Sequence, residues 1–195
     1  MKFTHLIVGL GNPEGKYFQT YHNIGFMAAE QAATTLGTEF KKKGNQLIAA
    51  TDNVLILKPL TYMNLSGQAV LAAIRKHKIA AENIAVLLDD LHIDKGNIRI
   101  SFGGSGGGHN GLKSITGLLG TNQYTRIRIG IAPKGTPYSM ARYVLSKITS
   151  DERETINNAI ADATQAAIEF TQGVALETLQ GKYNTRNSSQ ESHDD

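Results

Sequence analysis

The stretch LIVGLGNPEGKYFQTYHNIGF, residues 6–26, decides the fold. Leu6-Ile7-Val8 is an unbroken apolar run, the mark of a short strand buried on both faces as in a parallel sheet. It ends in Gly9-Leu10-Gly11-Asn12-Pro13, and a polar loop carrying Tyr17 then delivers His22 where a helix begins. In open sheets of this kind ligands collect outside the carboxyl ends of the strands. Asn12 and His22 fall at that edge.

Working outward, Asn23 to Leu36 reads as a helix stopped by Gly37, where a left-handed residue is commonly needed. Lys41-Lys42-Lys43-Gly44-Asn45 reads as a turn-like, solvated hairpin edge. Leu47–Thr51 and Val54–Lys58 read as strands joined through Asp52-Asn53, with Pro59 ending the second. Ser66 is a candidate N-cap for a helix with Val70, Ala73, Ile74 and His77 at helical spacing. A second apolar run, Ile84–Leu88, ends in Asp89-Asp90. Asn97–Ser101 is a further strand, and the glycine-rich 103–111 loop follows it. So many glycines do not serve core packing, because each adds backbone entropy that folding must remove. Such a loop moves or lets a ligand approach the backbone. Leu112–Leu119 is a short helix closed by Gly120.

Arg126-Ile127-Arg128-Ile129-Gly130-Ile131 alternates, so both arginines share one strand face and the isoleucines the other. Thr149 with Glu152 matches a capping box. Ile156, Ala159, Ile160, Ala163, Ala167 and Phe170 then mark one face of a long helix ending at Gly173. A shorter helix is expected from Val174 to about Leu179. From Asn184 onward the chain is polar and expected to be disordered. The expected organisation is one α/β domain over 1–184 and a tail over 185–195.

The 195 residues suffice for one such domain with a real core. No run approaches the roughly 18–20 apolar residues of a membrane span, and no secretory signal is expected at the N-terminus. The chain has no cysteine, which excludes disulfides, thiolate metal sites and a cysteine nucleophile. A net charge of +3 and a pI near 9.0 permit an anionic partner without requiring one.

Several motifs fail on spacing. Gly9, Gly11 and Gly15 give G-x-G-x-x-x-G, one residue too long for the dinucleotide fingerprint, and Lys113 is displaced from any Walker A pattern. Asp89, Asp90, His92 and Asp94 match no familiar ligand pattern, so no metal is expected. No G-x-S-x-G elbow occurs. His22 is better placed, as a general base acting on water or as a helix-start histidine with satisfied hydrogen bonds. A basic imidazole needs an acidic partner to hold its tautomer, and Asp89, ending another strand, is the best-placed carboxylate. Asn12, Asn64 and Asn110 each lie after a strand or before a helix. Singly they read as turn or cap residues. Together they suit hydrogen bonding to an amide-containing substrate and to a developing oxyanion.

These residues closely resemble the bacterial-type peptidyl-tRNA hydrolases. The likeness rests on VGLGNPEGKY at 8–17, TYHNIGF at 20–26, KPLTYMNLSG at 58–67, LLDDL at 87–91 and GGGHNGLKSI at 106–115. RIRIGI at 126–131 and YVLSK at 143–147 extend it almost to Asn184. The resemblance implies a mixed central sheet flanked by helices, in a cytoplasmic, monomeric enzyme without metal or cofactor. Its substrate would be peptidyl-tRNA, cleaved at the ester between peptide and 3′-ribose. It further implies His22 as base, Asp89 as its orienting partner, Asn12 as sensor of the peptide, and Asn64 and Asn110 as positioners of substrate and water. Tyr17 and Tyr62 match positions lining the site. Lys113, Arg126 and Arg128 then suit contacts to tRNA phosphates.

The chain departs from relatives in places. Pro13-Glu14-Gly15 replaces the usual Pro-Gly, Tyr21 stands where arginine is frequent, and Asp90-Leu91-His92 is less acidic than the common run. Ser101 occupies a place where some relatives carry a phosphate-binding lysine. Two other readings fit the same residues: a catalytically idle RNA-binding module, and a hydrolase of small acylated amino acid esters.

Overall fold

The computed structural model describes residues 3–133, 135 and 139–184. Among these, the strands are β1 (His5–Gly9), β2 (Lys41–Lys43), β3 (Gln46–Ala50), β4 (Val54–Pro59), β5 (Ile84–Asp90), β6 (Ile98–Phe102) and β7 (Thr125–Gly130). The helices are α1 (Ile24–Thr35), α2 (Ser66–His77), α3 (Asn110–Leu119), α4 (Met140–Val144), α5 (Arg153–Thr171) and α6 (Leu176–Tyr183). One sheet holds all the strands in the order β2-β3-β4-β1-β5-β7-β6. β1 lies parallel to β4 and β5, and β5 parallel to β7, while β2, β3 and β6 join antiparallel. The sheet is therefore mixed, with a parallel centre.

Two cores follow from the strand period of two. Ile7, Ile56, Leu87, Ile127 and Ile129 point to the face covered by α1 and α5. Leu6, Val8, Leu57, Val86 and Leu88 point to the face covered by α2 and α3. Burial on both faces is why β1 and β5 read as continuous apolar runs. A fully buried side chain of this size contributes about 1.5–3 kcal/mol.

Glycines set how closely α1 sits. A Cβ on Gly25 would collide with the Leu87 and Leu10 carbonyls, and one on Gly9 with the Gly25 carbonyl and the Ala29 side chain. The first turn of α1 therefore lies directly on the ends of β1 and β5. That packing suspends the preceding turn, Tyr21–Asn23, above the carboxyl edge of the sheet.

Local expectations hold with shifts of a residue or two, except that α6 runs on past its expected end near Leu179 to Tyr183. Gly37 and Gly120 are left-handed and close α1 and α3. Lys41–Lys43 form the exposed edge strand, and their charge discourages pairing with another chain. Three readings are corrected. Ser66 is the first residue of α2 and not its cap: its hydroxyl donates back to the Met63 carbonyl at 2.9 Å. The capping box fails because Thr149 donates to the Glu152 carboxylate at 2.9 Å, and α5 begins only at Arg153. Asn184 does not begin a free tail, since its carboxamide bonds both the N–H and the carbonyl of Ile100 in β6, at 2.7 and 2.9 Å. In addition, α4 carries too short an apolar pattern to be read as a helix. The expected tail, 185–195, lies outside the described residues.

Candidate active site

A cleft of about 560 Å³ opens at the carboxyl edge of the parallel strands, lined among others by Asn12, His22, Asp89, His109, Asn110 and Arg128. At its floor His22 Nδ1 lies 2.8 Å from Asp89 Oδ1. The two groups stand 67 positions apart in sequence, brought together by the seating of α1 on β5. The Asp89 side chain is only 4% exposed. Burial pushes its pKa up, but hydrogen bonds from His109 and His22 outweigh that and hold it well below the usual carboxylate range. An ionised carboxylate only accepts, so the His22 hydrogen sits on Nδ1, leaving Nε2 with a free lone pair.

His109 completes the arrangement. Its Nε2 reaches the same Asp89 oxygen at 3.2 Å, and its ring lies 5.0 Å from that of His22. Its Nδ1 accepts the Gly111 N–H at 3.1 Å, capping α3. That cap fixes the tautomer: Nδ1 is the acceptor, so the hydrogen is on Nε2 and goes to Asp89. Among the described residues, His22, Asp89 and His109 are the group whose possible ligand atoms lie close enough for a metal ion, within 4.8 Å of one another. The tautomer opposes that use. A metal on His109 Nε2 would have to remove its hydrogen while Nδ1 stays engaged, leaving an imidazolate.

Asn12 is locked by a neighbour of His22. Its N–H donates to Asn23 Oδ1 at 2.8 Å, and Asn23 Nδ2 donates back to its carbonyl at 3.0 Å. Asn12 Oδ1 accepts the Met63 N–H at 3.3 Å. The amino end of the Asn12 carboxamide is thus the end available to the cleft. Asn110 lies at the first turn of α3, exposed on the cleft wall.

Other expected site residues sit farther out. Asn64 and Tyr62 are exposed on and beside the turn Met63–Leu65, outside the cleft lining. Tyr17 is half-buried in the turn Gly15–Tyr17, with Lys16 Nζ 4.9 Å from its ring centre, and also stands outside the lining. Lys113 is exposed on α3 beside the glycine loop. Arg128 does line the cleft, pairing with Asp90 at 3.2 Å. Directly across the β6–β7 ladder from it lies Arg99, exposed and pointing to the same face.

Arg126 is not the surface cation expected. It is 3% exposed, lies over the Tyr124 ring and donates to the carbonyls of Gly104 and Ser105. It ties down the start of the glycine loop. The alternation correctly puts Arg126 and Arg128 on one face but carries no information on what covers each.

Three residues of the site have no motif of their own in the sequence: His109, Asn23 and Arg99. His109 adjoins Asn110 and Asn23 adjoins His22, so adjacency is the available signal. Arg99 needs the cross-strand register.

The Peptidyl-tRNA hydrolase family profile matches residues 6–192. The chain belongs to this family. The peptidyl-tRNA hydrolase of Chlorobium phaeovibrioides is 43% identical over 171 residues, covering 85% of this chain and 90% of that protein. That of Chlorobaculum tepidum is 42% identical over 183 residues, covering 92% and 97%. The crystal structure of peptidyl-tRNA hydrolase from Acinetobacter baumannii superposes with a TM-score of 0.87 at 35% identity, covering 95% of this chain and 96% of that one. Family membership and a mixed α/β sheet flanked by helices agree.

Proposed function

We propose that this peptidyl-tRNA hydrolase cleaves the ester between peptide and tRNA 3′-ribose with water activated by His22. The observation that carries the reading is the 2.8 Å approach of His22 Nδ1 to a buried, ionised Asp89. With Nδ1 bound, Nε2 takes a proton from water as the oxygen attacks the ester carbonyl. The imidazolium then returns that proton to the departing ribose oxygen. Base catalysis of this kind typically contributes about 10²–10⁴-fold.

Asn12 offers its amino group to the peptide, and Asn110 is the nearer candidate to donate to the oxyanion. His109 keeps Asp89 oriented. Asn64, Tyr62 and Tyr17, at the rim, suit the RNA end or a longer peptide. Arg128 and Arg99 meet as like charges directly across a ladder. Asp90 offsets Arg128, and a further anion bound by both arginines would relieve the rest. A tRNA phosphate fits that place, with Lys113 as a further cation. Such contacts read backbone and shape more than base identity.

The substrate is made where ribosomes work, which supports a cytoplasmic setting. A monomer is expected, and light scattering of the purified chain checks it. No helix among the described residues is long and apolar enough to cross a membrane. The decisive experiment compares N-acetyl-aminoacyl-tRNA with the same ester lacking RNA, using wild type and His22→Ala. Loss of turnover with retained tRNA affinity in the variant supports the reading. Equal cleavage of both substrates by wild type would return it to a small-ester hydrolase.

A further inference from the structure

Behind the cleft, outside its lining, one carboxylate bonds two of the segments that form its walls, and a tyrosine stacked on one of them adds a third. Tyr21, immediately before His22 and 2% exposed, donates its hydroxyl hydrogen to Glu152 Oε2. Thr149 donates to the same oxygen at 2.9 Å. Lys95 Nζ pairs with Oε1, and Lys95 belongs to the β5–β6 loop that brings Leu91 and His92 into the cleft. The Tyr143 ring stacks on Tyr21 at 4.9 Å and 21°. Tyr143 lies in α4, whose Met140 and Val144 line the cleft. Lys95 Nζ sits 5.2 and 5.5 Å from the two ring centres.

Apolar packing alone would hold these segments at lower desolvation cost than a largely buried ion pair. What charged hydrogen bonds add is direction. Burial pushes the Glu152 carboxyl up, but Lys95, Tyr21 and Thr149 more than reverse this and bring it to about 2. Burial and the Glu152 bond both push the Tyr21 hydroxyl upward, so it remains a donor. The turn Tyr21–Asn23 is therefore pinned on both flanks: Tyr21 to Glu152 on one side, Asn23 to the Asn12 backbone on the other. His22 lies between the two pins.

We propose that Glu152 is a positioning residue of this hydrolase: through the Tyr21 hydroxyl it fixes the turn that carries His22, keeping the imidazole against Asp89. The inference rests on His22 being the base. Removing either end of the Tyr21–Glu152 bond loosens that ring without touching the cleft lining.

The test uses the full chain with Tyr21→Phe, Glu152→Gln and the double variant, N-acetyl-aminoacyl-tRNA as substrate, and the downfield proton resonance of His22 Nδ1–H, identified by its absence in His22→Ala. Each single variant is expected to lower kcat about ten- to a hundredfold with KM within about twofold of wild type. The double variant should lose no more than Glu152→Gln alone, and the resonance should move or broaden. A merely structural role would lower the melting temperature and leave kcat per folded molecule and the resonance unchanged, which overturns the proposal. Multiplying losses in the double variant also overturn it. If Glu152→Gln does not fold, Tyr21→Phe, which removes a single oxygen, decides alone. If His22→Ala retains turnover, the base assignment itself fails. If His22→Ala is inactive and the folded variants match wild type, only the Glu152 role falls.

Discussion

Asn12 Oδ1 accepts the Met63 N–H at 3.3 Å, and this bond orients the Asn12 carboxamide with its amino group toward the cleft. Asn12→Asp keeps the size and the bond to Met63 but replaces the donor by an acceptor. Losing one buried hydrogen-bond partner costs about 1–3 kcal/mol. The expected result is a fall in kcat/KM of about 5- to 150-fold, with a melting temperature close to wild type. Initial rates on N-acetyl-aminoacyl-tRNA beside thermal melts check it. A variant that loses stability and activity together would show instead that Asn12 matters to the fold.

Asp89 accepts from two imidazoles through one oxygen. In Asp89→Asn the amide oxygen can still accept both ring N–H groups, but the negative charge that stabilises the imidazolium is gone. A flipped amide would present donors to the rings, so the His22 tautomer is no longer enforced. Turnover is expected to fall roughly 10³–10⁴-fold, the scale seen when a catalytic imidazole loses its carboxylate partner. His109→Ala should lose less, because the His22 bond survives, and about 1 kcal/mol of stability from the missing α3 cap. Single-turnover rates and denaturant melts of both variants separate the two effects. Equal kinetic losses would raise His109 to the same rank as Asp89.

The stability contribution of Glu152 has a defined pH window. Its carboxyl is lowered from the ordinary 4.5 to about 2 in the folded chain. A depressed pKa stabilises where the folded group is ionised, so the contribution is complete above about pH 5 and disappears as pH falls towards 2. Glu152→Gln lacks it throughout. The gap in melting temperature between wild type and variant should stay constant from pH 7 to about 5 and close on further acidification. Melts at half-unit steps measure this. Asp89 also titrates low, but it is common to both proteins and cancels. A gap independent of pH down to 2.5 would mean the ionised form is not the stabilising one.

Much of this architecture is legible in residues 6–26 and 84–90 because a buried parallel strand has a local signature, an apolar run cut off by glycine or acid. His22 and Asp89 are legible for the same reason: each follows or ends such a run. The pairing of Asn23 with the Asn12 backbone is not, since side-chain clamps between loops leave no periodic trace. Arg126 and Arg128 show the limit most directly. Their alternation fixes their face, but the glycine loop covers Arg126 and leaves Arg128 at the cleft. That difference belongs to tertiary packing.

Those two arginines give opposite expectations for RNA binding. Removing one phosphate-binding cation should reduce the slope of log affinity against log salt by about 1. Arg128→Ala and Arg99→Ala are expected to do so, the cations being exposed or at the cleft and facing each other across the ladder. Asp90 competes for Arg128, with Nη1 held 3.2 Å from Oδ2, so Asp90→Asn should tighten tRNA binding at low salt. Arg126→Met should leave the slope unchanged and lower the melting temperature, because its guanidinium serves the Gly104 and Ser105 carbonyls inside the protein. Filter binding of tRNA between about 50 and about 200 mM salt, the range over which such slopes are large, reads all four. A reduced slope for Arg126→Met with Arg128→Ala unaffected would reverse the assignment and move the phosphate to the glycine loop.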